Sequence, residues 1–161
     1  MVDAEGIRPS VNCTYTFERQ TPLSLERERM GLITGAFAVQ GYDAYSVMLD
    51  PATAGFTRQE QFMKRSLEEA ALRDMLFAIV TSEEPDEWLM LHAGATRAHG
   101  GEVVVAYHNS VLRSSRVLDA IATHAITWKS ISKLTEAIQE QVCDNVGNDS
   151  NVIGISQRKT A

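Results

Sequence analysis

The stretch Asp74–Tyr107, DMLFAIVTSEEPDEWLMLHAGATRAHGGEVVVAY, contains two apolar runs separated by an acidic loop and an amphipathic segment. Met75–Val80 and Val103–Ala106 are short and apolar throughout, which is typical of strands buried on both faces of a parallel sheet. Between them, Pro85 suits the first turn of a helix, and the Gly100–Gly101 pair suits the end of that helix. The stretch therefore predicts one βαβ unit.

The carboxyl ends of these two strands are the first place to search for a ligand site, because open parallel sheets bind ligands there. In this sequence they are Thr81–Glu87 and Tyr107–Ser110. Polar groups that directly follow a buried strand can reach a ligand, although loops are polar in general. We therefore predict that Asn109 and Ser110 contact the substrate.

Further apolar runs predict strands at Val11–Phe17, Ala44–Leu49 and Ala125–Trp128. Strands and helices then alternate five times, which predicts an α/β fold: a three-layer sandwich on a five-stranded parallel sheet, flavodoxin-like or Rossmann-like. The simplest strand order is 2-1-3-4-5. Its switch point lies between the first and third strands and brings the Phe17–Thr21 loop beside Thr81–Glu87.

Helix signals separate the strands. The first helix begins at Thr21–Pro22 and ends at Gly41, a capping box of Thr57 and Glu60 begins the second, and Ser130 is the predicted N-cap of the last. In the first helix, the predicted inner face is Leu25, Met30, Ile33 and Phe37, and the charged run Glu26–Arg29 is assigned to the other side.

Composition limits the possible functions. The chain has 161 residues and a net charge of −6, so we expect one α/β domain at residues 11–144, with flexible termini at 1–10 and 145–161. The negative charge argues against nucleic acid polymers and anionic membranes as partners. Cys13 and Cys143 fit no metal or redox spacing. Without a signal pattern or a membrane-spanning stretch, we expect a cytoplasmic protein.

Common cofactor and catalytic motifs are missing from the sequence. The segment after the first strand, TYTFERQTP at Thr14–Pro22, has neither a dinucleotide nor a P-loop glycine pattern. There is no G-x-S-x-G elbow, and the four histidines do not repeat at metal-ligand spacings. We therefore predict neither a cofactor nor a metal.

The segment DEWLMLHAGATRAHGGEVVV, at Asp86–Val105, resembles the central segment of the nucleoside 2-deoxyribosyltransferases and the related nucleotide N-glycosidases. That family has an Asp followed, six residues on, by a Glu-x-Gly-x-Ala-x-Ala-x-Gly pattern, and Asp86, Gly94, Ala98 and Gly100 stand at matching positions. The resemblance extends over roughly Val11–Val142. It implies a nucleoside or nucleotide as the small-molecule partner, a homo-oligomer, and transfer or hydrolysis of the N-glycosidic bond.

The same resemblance implies where the site lies and how it is altered. His92 stands in place of the family's nucleophilic Glu, and Ser66 stands where the family has a second acid. An imidazole can attack or act as a base, but it cannot form the ester intermediate of a carboxylate. The implied catalytic residues are therefore His92 and Glu18, a possible substitute carboxylate. The implied substrate contacts are Tyr15, Phe17, Arg19, Ser66 and Asp86.

Each of these residues also has a structural interpretation. Asp86 suits the negative charge preferred at a helix N-terminus, His92 suits a hydrogen-bonded core histidine, and Ser66 suits a close contact between helices. Two functions therefore stand beside the altered enzyme, which we favour: a non-catalytic nucleotide-binding or sensor module that lost its acids, and a scaffold protein without a ligand.

Overall fold

The computed structural model describes residues 8–15, 22–83, 87–111 and 116–142, with side chains in the last range from Leu118 onward. Its strands form one parallel sheet in the order β2-β1-β3-β4-β5, which confirms the predicted class and strand order. The strands are β1 (Ser10–Tyr15), β2 (Asp43–Tyr45), β3 (Met75–Val80), β4 (Glu102–His108) and β5 (His124–Trp128).

Helices cover both faces of this sheet. One layer contains α1 and α5, which share a hydrophobic cluster, and the other contains α2, α3 and α4. None of the described helices is long and apolar enough to cross a membrane. The helices are α1 (Leu23–Val39), α2 (Gln59–Leu72), α3 (Glu87–Ala98), α4 (Arg116–Ile121) and α5 (Ile131–Ala137), the last continuing as π-helical turns over Ile138–Val142.

The central strand β3 is buried along its whole length because both of its faces are covered. Alternate residues point to opposite faces of a strand, so Phe77 packs in the cluster of α1 and α5 and Leu76 packs in the cluster of α3 and α4. Phe77 meets Phe37 of α1 edge to face at 5.1 Å between ring centroids. Burying such a side chain contributes roughly 1.5–3 kcal/mol, so the continuous apolar run at β3 is explained.

The predicted strand at Ala44–Leu49 is wrong in its second half. β2 ends at Tyr45, and the chain then turns, with the amide of Leu49 donating to the carbonyl of Ser46. Asp50 closes this turn, because its carboxylate accepts from the Tyr45 hydroxyl at 2.7 Å and from the Ala52 amide at 2.8 Å. An edge strand pairs on one side only, so these local bonds are sufficient to end it.

Two helix details also differ from the prediction. In α1, Glu26 is buried and Leu25 is exposed, because Glu26 shares the inward stripe at spacings of four and seven residues with Met30 and Ile33. At the start of α2, the side chain of Gln61, rather than that of Glu60, accepts from the amides of the two residues before the helix.

Other signals were correct. The amide of Lys133 donates to the Ser130 hydroxyl at 3.3 Å, so Ser130 is the N-cap of α5. Gly41 and Gly100 have positive φ angles after α1 and α3, a conformation that glycine adopts without the steric cost of a Cβ atom. Phe17, at the end of the first predicted strand, lies outside the described residues.

Candidate functional site

The carboxyl ends of β1 and β3 bring a buried phenol to the switch point of the sheet. Tyr15 is the last residue of β1, and its hydroxyl oxygen accepts hydrogen bonds from the side chains of Arg29 and Thr81. Burial raises the pKa of Tyr15, and the negative charge of Glu26 raises it further against the effect of those two donors. Tyr15 is therefore a neutral hydroxyl at physiological pH.

Among the described residues, Glu26 is a buried carboxylate near this edge. It lies in the first turns of α1 with only 2% exposure, and Oε1 is 3.7 Å from Nη1 of Arg29. A carboxylate is rarely buried without a specific function or partner. The sequence analysis assigned Glu26 to the outer side of α1. The spacing of Glu26, Met30, Ile33 and Phe37 was the signal that would have placed it inside.

A series of hydrogen-bonded residues lies on the other face of β1. The indole N–H of Trp88 donates to Oγ1 of Thr14 at 3.2 Å, and the Trp88 ring packs against His92 with centroids 4.8 Å apart. The Trp88 carbonyl is 2.7 Å from Nδ1 of His92. Because a carbonyl only accepts, Nδ1 carries the proton, and Nε2 is left to accept from the Ser66 hydroxyl at 2.5 Å.

These hydrogen bonds determine what His92 and Ser66 can do. Both side chains are fully buried where α2 packs on α3. The two ring nitrogens of His92 are hydrogen-bonded to the Ser66 hydroxyl and the Trp88 carbonyl. The structure thus brings together two residues that the sequence analysis proposed for the site. It places them in the contact between α2 and α3, with the Trp88 ring packed against His92, and neither side chain is open to solvent.

The polar residues after β4 lie in an exposed turn. The hydroxyl and the amide of Ser110 both approach Nδ1 of His108, at 2.6 and 3.3 Å, so the ring is held in one orientation. His108 also meets the ring of Trp128 at 4.6 Å. Asn109 is exposed, and its backbone N–H donates to the Trp128 carbonyl. Asn109 and Ser110 therefore remain accessible to a ligand at this edge.

Four predicted site residues, Phe17, Glu18, Arg19 and Asp86, lie outside the described residues. Within the described ranges, no group of three or more His, Cys, Asp or Glu side chains is arranged to hold a metal ion. Cys13 is a free thiol in the core, and burial raises its pKa far above the ordinary value, so it has little thiolate character.

Comparison with solved structures agrees with this architecture. The CMP N-glycosidase of Clostridium botulinum overlaps at a TM-score of 0.57 with 12% identity, covering 80% of this chain and 97% of that one. A conserved protein of Enterococcus faecalis overlaps at 0.58 with 14% identity, covering 82% and 98%. A 2-deoxyribosyltransferase of Bacillus psychrosaccharolyticus overlaps at 0.49 with 12% identity, covering 78% and 90%, which is below the level that establishes a shared fold.

No model of a known protein family and no curated protein matches the sequence. At 12% and 14% identity, the first two overlaps establish a common fold. The activity must therefore be argued from the site itself.

Proposed function

We propose that this protein binds a nucleoside or nucleotide at the carboxyl edge between β1 and β3 and cleaves or transfers its N-glycosidic bond. The observation that carries the proposal is Glu26, a buried carboxylate beside the Tyr15 hydroxyl at the switch point. A fold shared with a CMP N-glycosidase supports the same class of substrate.

The chemistry of glycosidic cleavage explains why a buried carboxylate matters. In this mechanism, an oxygen of Glu26 attacks the anomeric carbon as the bond to the base breaks, and the base leaves with a proton from solvent or a nearby acid. Water or a second nucleobase then attacks the anomeric carbon of the glycosyl ester, which releases the carboxylate of Glu26. The Tyr15 hydroxyl orients the sugar, and the Arg29 guanidinium pairs with Glu26, with Nη1 3.7 Å from Oε1.

The remaining predicted residues fit this proposal by their place in the chain. We propose Phe17, Arg19 and Asp86 as substrate contacts and Glu18 as the second carboxylate, since all four flank the strand ends that hold Tyr15 and Thr81. Asn109 and Ser110 contact the more distant part of the substrate. His92 and Ser66 act indirectly by fixing Trp88.

A second candidate is a nucleotide-binding module without catalysis. It is favoured by His92, which stands where the family resemblance places the nucleophile. Its side chain is fully buried and packs against the Trp88 ring. Under this alternative the edge of the sheet holds a ligand and Glu26 serves only to bind it.

The test is base release. Purified protein is incubated with cytidine, CMP, their 2′-deoxy forms and the purine equivalents, and free base is quantified by chromatography. We expect release from at least one substrate and a loss of about 100-fold or more in Glu26→Gln, the usual contribution of a positioned acid–base or nucleophilic group. Glu28→Gln, an exposed position in the same helix, is the matched control.

The possible outcomes separate the candidates. Full activity in Glu26→Gln would remove Glu26 from the mechanism. No base release from any substrate, together with saturable nucleotide binding by calorimetry, would establish the non-catalytic module. Absence of both would leave a scaffold protein. We also propose a homo-oligomer, which the family resemblance implies.

A further inference from the structure

An exposed serine–histidine pair lies at the carboxyl end of β4. The Ser110 hydroxyl is 2.6 Å from Nδ1 of His108, and Ser110 is exposed. In this respect it differs from the pair of Ser66 and His92, which is buried between two helices. We propose that Ser110 is a nucleophile activated by His108 and that it takes the acyl group of small activated carboxylic esters and thioesters.

Hydrogen bonds on both sides of the ring determine where the proton of His108 lies. Nε2 is 3.2 Å from the carbonyl oxygen of Lys129, and because a carbonyl only accepts, Nε2 carries the proton. Nδ1 is then an acceptor, and the backbone N–H of Ser110 also donates to it at 3.3 Å. The Ser110 hydroxyl therefore donates to Nδ1. This is the direction of proton transfer that a general base requires.

The imidazole ring is held in the orientation that this transfer needs. The Lys129 carbonyl bonds the far nitrogen of the ring, which is the place of the orienting group in a catalytic triad. The buried ring of Trp128 meets the His108 ring edge to face, with centroids 4.6 Å apart. Nucleophile, base and orienting group are thus in place before a substrate binds.

The pair is separate from the site at Tyr15 and Glu26. In the sheet, β4 is the second strand beyond β1, and neighbouring strands are about 4.8 Å apart, so the two places are about 10 Å apart. Both lie at the carboxyl edge, where open parallel sheets bind ligands. The chemistry of the pair does not depend on the proposed N-glycosidic activity.

The backbone of the turn sets the class of substrate. The N–H groups of residues 109–111 are all hydrogen-bonded, in turn to the Trp128 carbonyl, to Nδ1 of His108 and to the His108 carbonyl. They therefore form no oxyanion hole, and one donor of such a hole contributes about 10²–10³ in rate. The leaving group must be a good one, as in aryl esters and thioesters. Alkyl esters and amides should not react.

The reaction uses the pair and water. The Ser110 oxygen attacks the carbonyl carbon of the ester while Nδ1 of His108 takes its proton. The bond to the aryloxide or thiolate then breaks, the leaving group takes the proton from Nδ1, and the acyl group remains on Ser110 as an ester. Water, deprotonated by the same nitrogen, releases the carboxylic acid and restores the hydroxyl. This second step is slow because an acyl-serine is an alkyl ester, so the acyl-protein accumulates.

The first test is acylation by para-nitrophenyl acetate in excess. Wild type should release a burst of about one nitrophenolate per protein, the sign of an acyl intermediate, and peptide mass mapping should locate the acetyl group on Ser110. Ser110→Ala should lose the burst. His108→Gln accepts a hydrogen bond but takes no proton, so acylation should slow by about 100-fold or more. Ser132→Ala, at an exposed serine of α5, is the matched control and should acylate normally.

Stability separates chemistry from a role in the turn. Ser110→Ala and His108→Gln should unfold at nearly the same urea concentration as wild type, because both side chains lie at the surface. A lost burst in a variant that is equally stable is a result that a purely structural pair would not give. A wild type without a burst, a burst that survives Ser110→Ala, or acetyl groups found only on lysines would overturn the proposal.

Discussion

The hydroxyl of Ser66 donates to Nε2 of His92 inside the contact between α2 and α3, where water has no access to either group. A serine–histidine pair at hydrogen-bond distance is also the geometry of an activated nucleophile. Position decides between the two meanings: the pair lies in the contact between α2 and α3 with both ring nitrogens of His92 hydrogen-bonded there, whereas Tyr15 and Glu26, which are also buried, lie at the carboxyl end of β1. The pair therefore connects the helices and supports Trp88, and the reactive groups are sought at Tyr15 and Glu26.

Ser66→Ala tests this assignment. The change leaves Nε2 of His92 buried without its donor, which should cost about 1–3 kcal/mol of unfolding free energy, measured by urea titration. Base release per folded molecule should change by less than about twofold, in contrast to the 100-fold or greater loss expected of an acid–base group. Ser24→Ala, at an exposed serine of α1, should stay within about 0.5 kcal/mol of the wild type. Loss of activity at unchanged stability would instead assign Ser66 and His92 to the chemistry.

At the level of elements, the turn from α3 to β4 is tightly packed around Gly101. Gly100 turns the chain with φ of 80°, and the amide of Gly101 then donates to the carbonyl of Thr96 at 2.9 Å. A Cβ atom at Gly101 would lie 2.6 Å from Cγ2 of Thr96 and 3.0 Å from the carbonyl oxygen of Asp74. The two glycines therefore have different functions: one provides the turn, and the other allows β4 to start beside β3.

Gly101→Ala should destabilise the protein. The added methyl group forces Thr96 and the backbone of Asp74 apart, at a cost of about 1–3 kcal/mol. For a domain of this size the melting temperature falls by about 2–4 °C per kcal/mol. Gly94→Ala in α3 is the control: it has open space and should gain up to about 1 kcal/mol from helix propensity. Equal melting temperatures for the two variants would contradict the packing argument.

At the level of the whole molecule, an ion-pair network holds the edge strand β2 to α2. Asp50 accepts from Tyr45 and from Arg65, and Arg65 continues to Glu69 at 3.1 Å. Glu69 then pairs with Arg73 at 3.0 Å. Both guanidinium groups also lie over the Tyr45 ring, at 5.9 and 5.2 Å from its centroid. A strand of three residues thus has side-chain anchors in place of a second paired neighbour.

Because of this network, the free energy of unfolding should depend on pH in the acid range. Burial raises the pKa of Asp50, but hydrogen bonds from Tyr45, Arg65 and the Ala52 amide outweigh it and hold the pKa below its ordinary value. The unfolded value is about 3.9, so the stabilisation is complete at about pH 5 and above and is lost as the pH falls through the unfolded and then the folded pKa. In urea titrations, the advantage of wild type over Asp50→Asn should shrink between pH 5 and the acid limit. A constant difference would contradict the role of the ionised carboxylate.

The central βαβ unit could be predicted because the residues that specify it are close together in the sequence. Apolar runs of strand length, bounded by a proline and by glycines, bury best between two layers of helix, and the sheet order follows from the simplest right-handed connections. By contrast, the apolar pattern placed the end of β2 too late, because it contains no signal for the hydrogen bonds that turn the chain, from the Leu49 amide to the Ser46 carbonyl and from the Tyr45 hydroxyl to Asp50.

The sequence by itself determined the fold class and the strand order, because hydrophobic periodicity and turn residues act over a few neighbours. Only the tertiary structure decided which polar side chains meet at the carboxyl edge of the sheet. Glu26 and His92 are both polar residues on amphipathic helices, and their helices turn both of them inward. One of them then lies beside Tyr15 at the switch point and the other against Ser66 between two helices. That difference depends on which surface each helix packs against, a long-range property that neither residue type nor local spacing contains.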